Sequence, residues 1–448
     1  MYSVYMNYKS TFAKYGIAVP EILLPKKGTD LNAWAVIACD QYTQNRKYWK
    51  DVADTAAGKP SMLHCILPEV YLEDNDRKER LANINSTMQK YLDSGVFAEP
   101  LNGMVYLERK TAYGRIRKGL VTAVDLEAYE WKPYSQAKIR ATEQTIESRI
   151  PPRMEIRRDA PLESPHIMLL VSDSDKLLVE ETGKKAKAAN APVVYDTDLM
   201  LNSGHITGWA VKDDAILEHI SESILKIAAK NGVDKTDGTA SPLFAVGDGN
   251  HSLATAKAVW NEFKEKNLGV TDHPLRYALV EIVNIYDDGL TFEPIHRVLF
   301  GSLPEMLIRY ISAELSATVY HLKSAEELDE EVKSSQEVIG MVYKTEKGEQ
   351  RYVMIDAICP DLMVSYFQPI LDTFLSIFGD AELDFIHGSD EIFRLGAQDN
   401  TIGILLPQIS KDNFFKTIAS CGVLPRKSFS MGEASEKRFY MECRKLTK

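Results

Sequence analysis

The sequence predicts a mixed α/β protein. Short β-branched or aromatic runs of strand character alternate along the chain with segments whose apolar residues recur at spacings of three and four. The two kinds interleave throughout, which points to shared layers of helix and sheet and away from an all-α or all-β fold. The third observation is scale. At 448 residues, 45% hydrophobic and 26% charged, the chain has ordinary globular composition and can bury a core without disulfides.

The helices are read from their stripes and their stops. Leu81, Ile84, Met88 and Leu92 make one apolar stripe, ended by Gly95. Ile216, Leu217, Ile220, Ile224 and Ile227 make another, with Asp213 placed to cap its start and Gly232 beyond its end. Ser302 with Glu305, and Ser324 with Glu327, have the spacing of capping boxes and open two further helices. Phe414, Phe415 and Ile418 mark a late helix ending at Gly422. The clearest strands are Met104 to Leu107, Leu120 to Val124, Ile167 to Val171 and Tyr277 to Ile285. Two polar stretches, Glu181 to Asn190 and Asn231 to Ser241, read as connectors. A break near Gly301 divides the chain into a main α/β region, 1–300, and a C-terminal α/β region, 301–448.

Charge and cysteine usage narrow the function classes. A formal net charge of −11 and a pI near 5.5 argue against nucleic-acid binding, which needs a basic footprint. Cys39, Cys65, Cys359, Cys421 and Cys443 are odd in number and scattered, with no CxxC and no zinc spacing. Reduced, mostly buried thiols are expected. Met1 to Ser10 has no apolar signal core, and no run approaches the roughly 20 apolar residues of a membrane helix. A cytoplasmic protein is expected, and the sequence leaves its oligomeric state open.

The densest chemistry lies at Pro242 to Trp260. A buried-strand run, Leu243 to Val246, meets Gly247-Asp248-Gly249-Asn250-His251, after which the sequence is alanine-rich and helical. Glycines at such a junction permit positive φ and close approach by another group. The new helix directs unpaired N–H groups and its positive dipole end toward the turn, a setting that favours an anion. Asp248 would repel a bare phosphate but suits a metal-bridged one, or a role as base. The turn is neither a Walker A loop nor a dinucleotide fingerprint, and a plain capped strand–helix turn stays open as the alternative.

The turn resembles the Asp-Gly-His-His-Arg-x-x-x-Ala box of a large bacterial and archaeal family of uncharacterised proteins. Other stretches match that family in order: Trp34 to Thr43 with Tyr48-Trp49, Arg140 to Thr145, Asp287 to Leu290 leading to Pro294-Ile-His296-Arg297, Ile386-His387-Gly388, and Leu424 to Ser428. The box in turn is similar to the nucleotide-handling motif of the ParB/sulfiredoxin-like superfamily. That resemblance implies a ParB/sulfiredoxin-like core with additional α/β elements. It also implies nucleotide-dependent phosphoryl transfer or gating, as in relatives that phosphorylate free serine, reduce peroxiredoxin or clamp DNA. Asn250 stands where the box has its first His, and Ser252 where it has Arg. The second change removes a bidentate phosphate ligand. The first replaces the sulfiredoxin cysteine and rules out that reaction.

The resemblance makes Glu143 the candidate general base, in a segment whose composition reads as a polar helix start. Glu143, Asp248, His251 and His296 are the candidate catalytic residues. Gly247, Gly249, Asn250, Arg297, Arg426 and Lys427 are the candidate cofactor-binding residues. Arg297 could supply the phosphate charge that Ser252 cannot. Arg426, Lys427, Ser428, Lys437 and Arg438 form the most concentrated basic region, read as a solvated face or as a second anion anchor. Asp40 could face the same cleft. The pairs Asp173/Asp175 and Asp196/Asp198 each lack a third ligand nearby, so no metal site is assigned. The expected function is a kinase-like phosphotransferase using ATP or ADP with Mg2+ on a small hydroxylated metabolite, serine or phosphoserine. The alternative is a non-catalytic protein that binds a nucleotide or phosphometabolite.

Overall fold

A computed structural model describes residues 7–448 apart from Ser302 and Asp380. The Ser302 half of one expected capping box therefore lies outside the described residues, as does the start of the N-terminal segment. The architecture is mixed α/β, in two compact units: Met1–Leu290 with Gly432–Lys448, and Thr291–Met431. The division falls before Gly301. The His296–Phe300 strand pairs with Glu382–Ile386 and Thr401–Leu405, all within the second unit. The last residues of the chain return to the first unit.

The first unit is built on a ten-stranded mixed sheet. One side runs Val193–Asp198, His205–Val211, Met104–Lys110, Ile116–Asp125 and Tyr277–Asn284; the other continues through Met168–Val171, Phe244–Asp248, Ile139–Ala141 and Tyr129–Glu130. Ile17–Ala18 adds to the Ile116–Asp125 strand. Three neighbouring pairs are parallel: Met168–Val171 with Tyr277–Asn284, Phe244–Asp248 with Ile139–Ala141, and Ile139–Ala141 with Tyr129–Glu130. These central strands are buried on both faces, which is why they read as continuous apolar runs without polar alternation.

Helix Asp214–Asn231 shows how local sequence and packing agree. Asp213 accepts the Ala215 N–H at 2.9 Å, and Gly232 ends the helix at φ 70°. All five residues of its apolar stripe are buried, each worth about 1.5–3 kcal/mol relative to exposure. In helix Arg77–Asp93 the expected stripe is buried at Ile84 and Met88 and half-buried at Leu81 and Leu92. The stretch from Glu181, expected as a connector, is helical as part of Val179–Ala188. Its buried face uses small residues, Thr182, Gly183 and Ala186, that carry little hydropathy signal. Gly183 is pressed against Tyr106, so closely that a Cβ would fall 2.1 Å from the ring.

The second unit carries a six-stranded antiparallel sheet, in the order Thr318–Leu322, Gln350–Asp356, Val338–Lys344, Thr401–Leu405, His296–Phe300, Glu382–Ile386. Helices Pro304–Glu314, Ala325–Ser334, Met363–Phe378, Ser389–Gly396 and Lys411–Cys421 accompany it. Ser324 caps its helix by accepting the Glu327 N–H at 3.2 Å, while the Glu327 carboxylate accepts the Lys323 N–H at 2.9 Å.

Among the described residues, no helix is long and apolar enough to cross a membrane. All five cysteines are free; Cys65 and Cys443 are buried, and Cys39, Cys359 and Cys421 are half-buried.

Candidate functional site

The Phe244–Asp248 strand runs parallel to Ile139–Ala141, with Val246 beside Ala141. Both strands therefore end at the same edge of the sheet, and the Thr142–Ile146 loop leaves beside the Gly247–His251 turn. The neighbouring Met168–Val171 strand runs antiparallel and starts at that edge, with Met168 opposite Asp248 and an irregular register there. His166 and Ile167 thus arrive at the same place. Ligand sites of open α/β sheets form outside the carboxyl ends of strands.

Of the two glycines, Gly249 is the conformational requirement. It caps helix Asn250–Lys266 at φ 80°, and a Cβ there would lie 3.0 Å from Ile167 Cγ1 and 3.1 Å from its Cα. Gly247 continues the strand. Asp248 does not stand as an isolated negative charge. Its Oδ1 accepts the Gly249 N–H at 2.9 Å, and its Oδ2 lies 3.3 Å from Lys437 Nζ.

Two hydrogen bonds hold the Glu143 loop on the first turn of the helix. Asn250 Oδ1 accepts the Thr142 N–H at 3.2 Å, and His251 Nε2 accepts the Ile146 N–H at 3.2 Å. Because Nε2 accepts, a neutral His251 carries its proton on Nδ1. The Asn250 amide also donates to Val246 O at 3.3 Å, so its side chain clamps loop to strand. Half-buried Glu143 lies between these ties, in an extended loop beyond the strand and not at a helix start. Its neighbour Thr145 is 6% exposed, and its hydroxyl has no hydrogen-bond partner among the described residues.

Next along the helix, Ser252 Oγ lies 2.9 Å from His166 Nε2, and His166 Nδ1 lies 2.9 Å from the hydroxyl of buried Tyr440. Tyr440 Oη also accepts the Cys39 N–H at 3.2 Å. Burial pushes the Cys39 thiol up to about 12. Strand pairing of Phe439–Tyr440 with Val36–Ile37 brings the Trp34–Thr43 motif here, and the charge of Asp40 adds to the raised pKa of both Cys39 and Tyr440.

Buried charge lies one strand away, since Met168 pairs with Asp248 on one side and Glu281 on the other. Arg438 bonds Glu281, and reaches Glu442 at 2.6 Å and Pro165 O at 2.9 Å. Arg117 Nε lies 3.6 Å from Glu281. Burial and the Arg117 charge together bring Arg109 down to about 9. Burial works against ionisation of Glu281, but Arg438 and Arg117 outweigh it and hold the carboxyl below its usual range. Arg438, expected on a solvated basic face, is instead 2% exposed.

His296, Arg297, Arg426 and Lys427 belong to the second unit. His296 is 7% exposed, and its Nδ1 accepts the Leu406 N–H at 3.0 Å. Burial lowers it to about 4, leaving a neutral ring. Arg297 is fully buried: Nε donates to Gln368 Oε1 at 2.8 Å, Nη1 donates to Ile295 O, and the guanidinium stacks on Phe385 at 4.8 Å. These are ties within a core, which corrects the expectation of an anion-facing Arg297. Arg426 and Lys427 are exposed, with Lys427 at φ 60°.

The structure thus gathers Glu143, Gly247, Asp248, Gly249, Asn250 and His251 at one edge. His166 and Tyr440 escaped the sequence reading because neither carries a spacing signal; only the register of the sheet brings them in. Among the described residues, no group of three or more His, Cys, Asp or Glu is arranged to hold a metal. Asp196 and Asp198 instead bond the two ring nitrogens of His205, each at 2.7 Å.

The fold defines a mixed α/β protein in which a carboxylate-bearing loop is held against the N-terminus of the Asn250–Lys266 helix. The chain belongs to the family described as "Protein of unknown function (DUF1015)", which matches residues 23–368. The motifs at Ile386–Gly388 and Leu424–Ser428 lie beyond that range. No curated protein matches the sequence. Among solved structures, a free serine kinase in complex with ADP is similar at 11% identity and a TM-score of 0.38, covering 73% of this chain and 92% of that one. A conserved hypothetical protein from Pyrococcus furiosus is 11% identical with a TM-score of 0.35, covering 73% and 95%. SbnI from Staphylococcus aureus, with a C-terminal truncation, is 9% identical with a TM-score of 0.35, covering 72% and 85%.

Proposed function

We propose that this chain is a phosphotransferase that moves a phosphoryl group from a nucleotide to a small hydroxylated metabolite. The observation that carries the reading is the pair of bonds from Thr142 and Ile146 to Asn250 and His251. They hold Glu143 beside a helix N-terminus, so that a carboxylate able to take a hydroxyl proton adjoins a place that favours phosphate. Lys437 offsets the charge of Asp248, removing the repulsion that a bare carboxylate would exert on an anion. The donors to try are ATP and ADP with Mg2+, for which Asp248 is the residue suited to a metal-bridged phosphate. Serine and phosphoserine are the first acceptor and product to try.

A second reading, a nucleotide- or phosphometabolite-binding regulator without catalysis, has its own observation. His251 Nε2 is engaged with a backbone N–H, which suits a positioning role better than acid–base work through that atom. One experiment separates the two. Calorimetric titration with AMP, ADP and ATP, with and without Mg2+, is followed by assay of phosphoserine formation, in wild type and Glu143→Gln. Binding with turnover that falls by about 10²-fold or more in the variant supports the enzyme. Binding without turnover selects the regulator, and no binding refutes both.

A further inference from the structure

Ser252 is one of the two residues by which this chain departs from the box it resembles, and it stands in a relay that the phosphotransferase reading does not use. Its Oγ lies 2.9 Å from His166 Nε2, and the other ring nitrogen lies 2.9 Å from Tyr440 Oη. The activated sense of these bonds has the ring donating from Nδ1 and accepting at Nε2. A tyrosine hydroxyl has one proton to donate and two lone pairs. Tyr440 accepts the Cys39 N–H with one lone pair. Its second lone pair is left for His166 Nδ1–H. With Nδ1–H donating there, Nε2 is the acceptor for the Ser252 hydroxyl. A hydroxyl on a ring nitrogen, with the far nitrogen oriented by a third group, is the arrangement of an activated nucleophile.

The frame around the relay is rigid. Pro165 O is held by Arg438 at 2.9 Å, Ile167 packs against Gly249, and Tyr440 is strand-paired with Val36. Ser252 and His166 are half-buried, while Tyr440 is 2% exposed. The reactive end of the relay is thus the accessible one, and its orienting end is dry. Ser252 also lies in the first turn of its helix, where a newly acquired phosphate would meet backbone N–H groups and the positive dipole end.

We propose that Ser252 is a nucleophile activated by His166, and that it accepts the phosphoryl group from the nucleotide before the group passes to the metabolite. This rests on the phosphotransferase reading and adds a covalent phosphoserine intermediate to it. In the first step Ser252 Oγ forms a bond to the terminal phosphorus. The bond from phosphorus to the bridging oxygen breaks, its electron pair leaves with the shortened nucleotide, and the serine proton moves to His166 Nε2. In the second step the acceptor hydroxyl oxygen bonds phosphorus and yields its proton to Glu143. The Ser252–phosphorus bond breaks, and Oγ recovers its proton from His166. Tyr440 is a positioning residue.

The test uses the full chain with ATP, and separately ADP, labelled on the terminal phosphate, with Mg2+ and no acceptor. Protein is denatured, bound label is counted, and the site is mapped by mass spectrometry. Label on Ser252 is expected in wild type, and it should persist on adding serine in Glu143→Gln. Ser252→Ala should carry none, with a melting temperature within a degree of wild type, and Ser252→Thr should retain part. His166→Gln should label about 10²-fold more slowly or worse. Tyr440→Phe should label more slowly at unchanged nucleotide affinity, a split that a merely structural tyrosine would not produce. Turnover in Ser252→Ala at the wild-type rate, without protein-bound label in either, overturns the covalent step and leaves the phosphotransferase standing. Absence of nucleotide binding by calorimetry overturns both together.

Discussion

Replacing Asn250 by alanine separates a clamp from a ligand. In the structure the Asn250 carbonyl oxygen accepts the Thr142 N–H at 3.2 Å, and the amide donates to Val246 O at 3.3 Å. Val246 O keeps a second partner in the Thr142 hydroxyl at 2.6 Å, so its loss is small. The Thr142 N–H has no such reserve, and Thr142 is fully buried. One orphaned buried donor costs about 1–3 kcal/mol, and the weaker amide bond adds up to about 1. A loss of about 2 kcal/mol is therefore expected. Over a unit of about 300 residues, an unfolding entropy of about 2.1 cal/mol/K per residue converts this to a fall of roughly 3 °C in the transition of the first unit. The assay is differential scanning calorimetry beside nucleotide titration. An unchanged melting temperature with lost nucleotide binding would refute the clamp and make Asn250 a direct ligand.

Two further outcomes test the interior. His296 is held neutral to about 4 against an ordinary 6.5, so the unfolded chain binds more protons between those values. Stability should fall as pH drops from 6.5 towards 4, by up to about 3 kcal/mol. The slope should flatten in His296→Asn, whose oxygen can still accept the Leu406 N–H; an identical pH slope in urea unfolding would contradict this. Arg438→Met leaves Glu281 and Glu442 buried without their guanidinium, at a cost of about 3–5 kcal/mol. Adding Glu442→Gln should recover part of it, and a loss under 1 kcal/mol in denaturant titration would contradict the network.

What the sequence disclosed and what it hid differ by the range of the interaction. Asp213 and Gly232 bracket their helix where expected because caps are local chemistry. The Gly247–His251 junction was legible for the same reason: a strand pattern and a helix pattern meet at residues suited to turns. The Val179–Ala188 helix was missed because its buried face relies on Thr182, Gly183 and Ala186, with Gly183 against Tyr106, and shows no apolar stripe. Arg297 was read as a phosphate ligand, and Arg438 as part of a solvated basic face or anion anchor, because composition cannot show the carboxylates and amides that receive them. His166 and Tyr440, 274 residues apart, meet only through pairing of the chain's end with Val36–Ile37, a contact that no local pattern announces.

That same terminal return brings an ammonium to the edge proposed for the anion, in a chain of net charge −11. Lys437 follows the chain back to Asp248, and behind it the buried guanidiniums of Arg117 and Arg438 meet the carboxylates of Glu281 and Glu442. The whole chain is acidic, so attraction of a phosphate should depend on the cations at this edge and not on long-range steering. Lys437→Met tests it. Removing the ammonium exposes a bound phosphate to the uncompensated Asp248 carboxylate. At a separation of about 5 Å the repulsion is about 0.8 kcal/mol in water-like surroundings and about 3 kcal/mol at an effective dielectric of about 20. Affinity for a nucleotide should therefore fall roughly 4- to 150-fold, with the larger loss at low salt. The pair is 16% and 18% exposed, so stability should change by no more than about 1 kcal/mol. Nucleotide titrations at two salt concentrations beside a thermal melt give both quantities. Equal affinity in wild type and Lys437→Met would mean that no phosphate approaches Asp248, and the site would have to lie elsewhere on the chain.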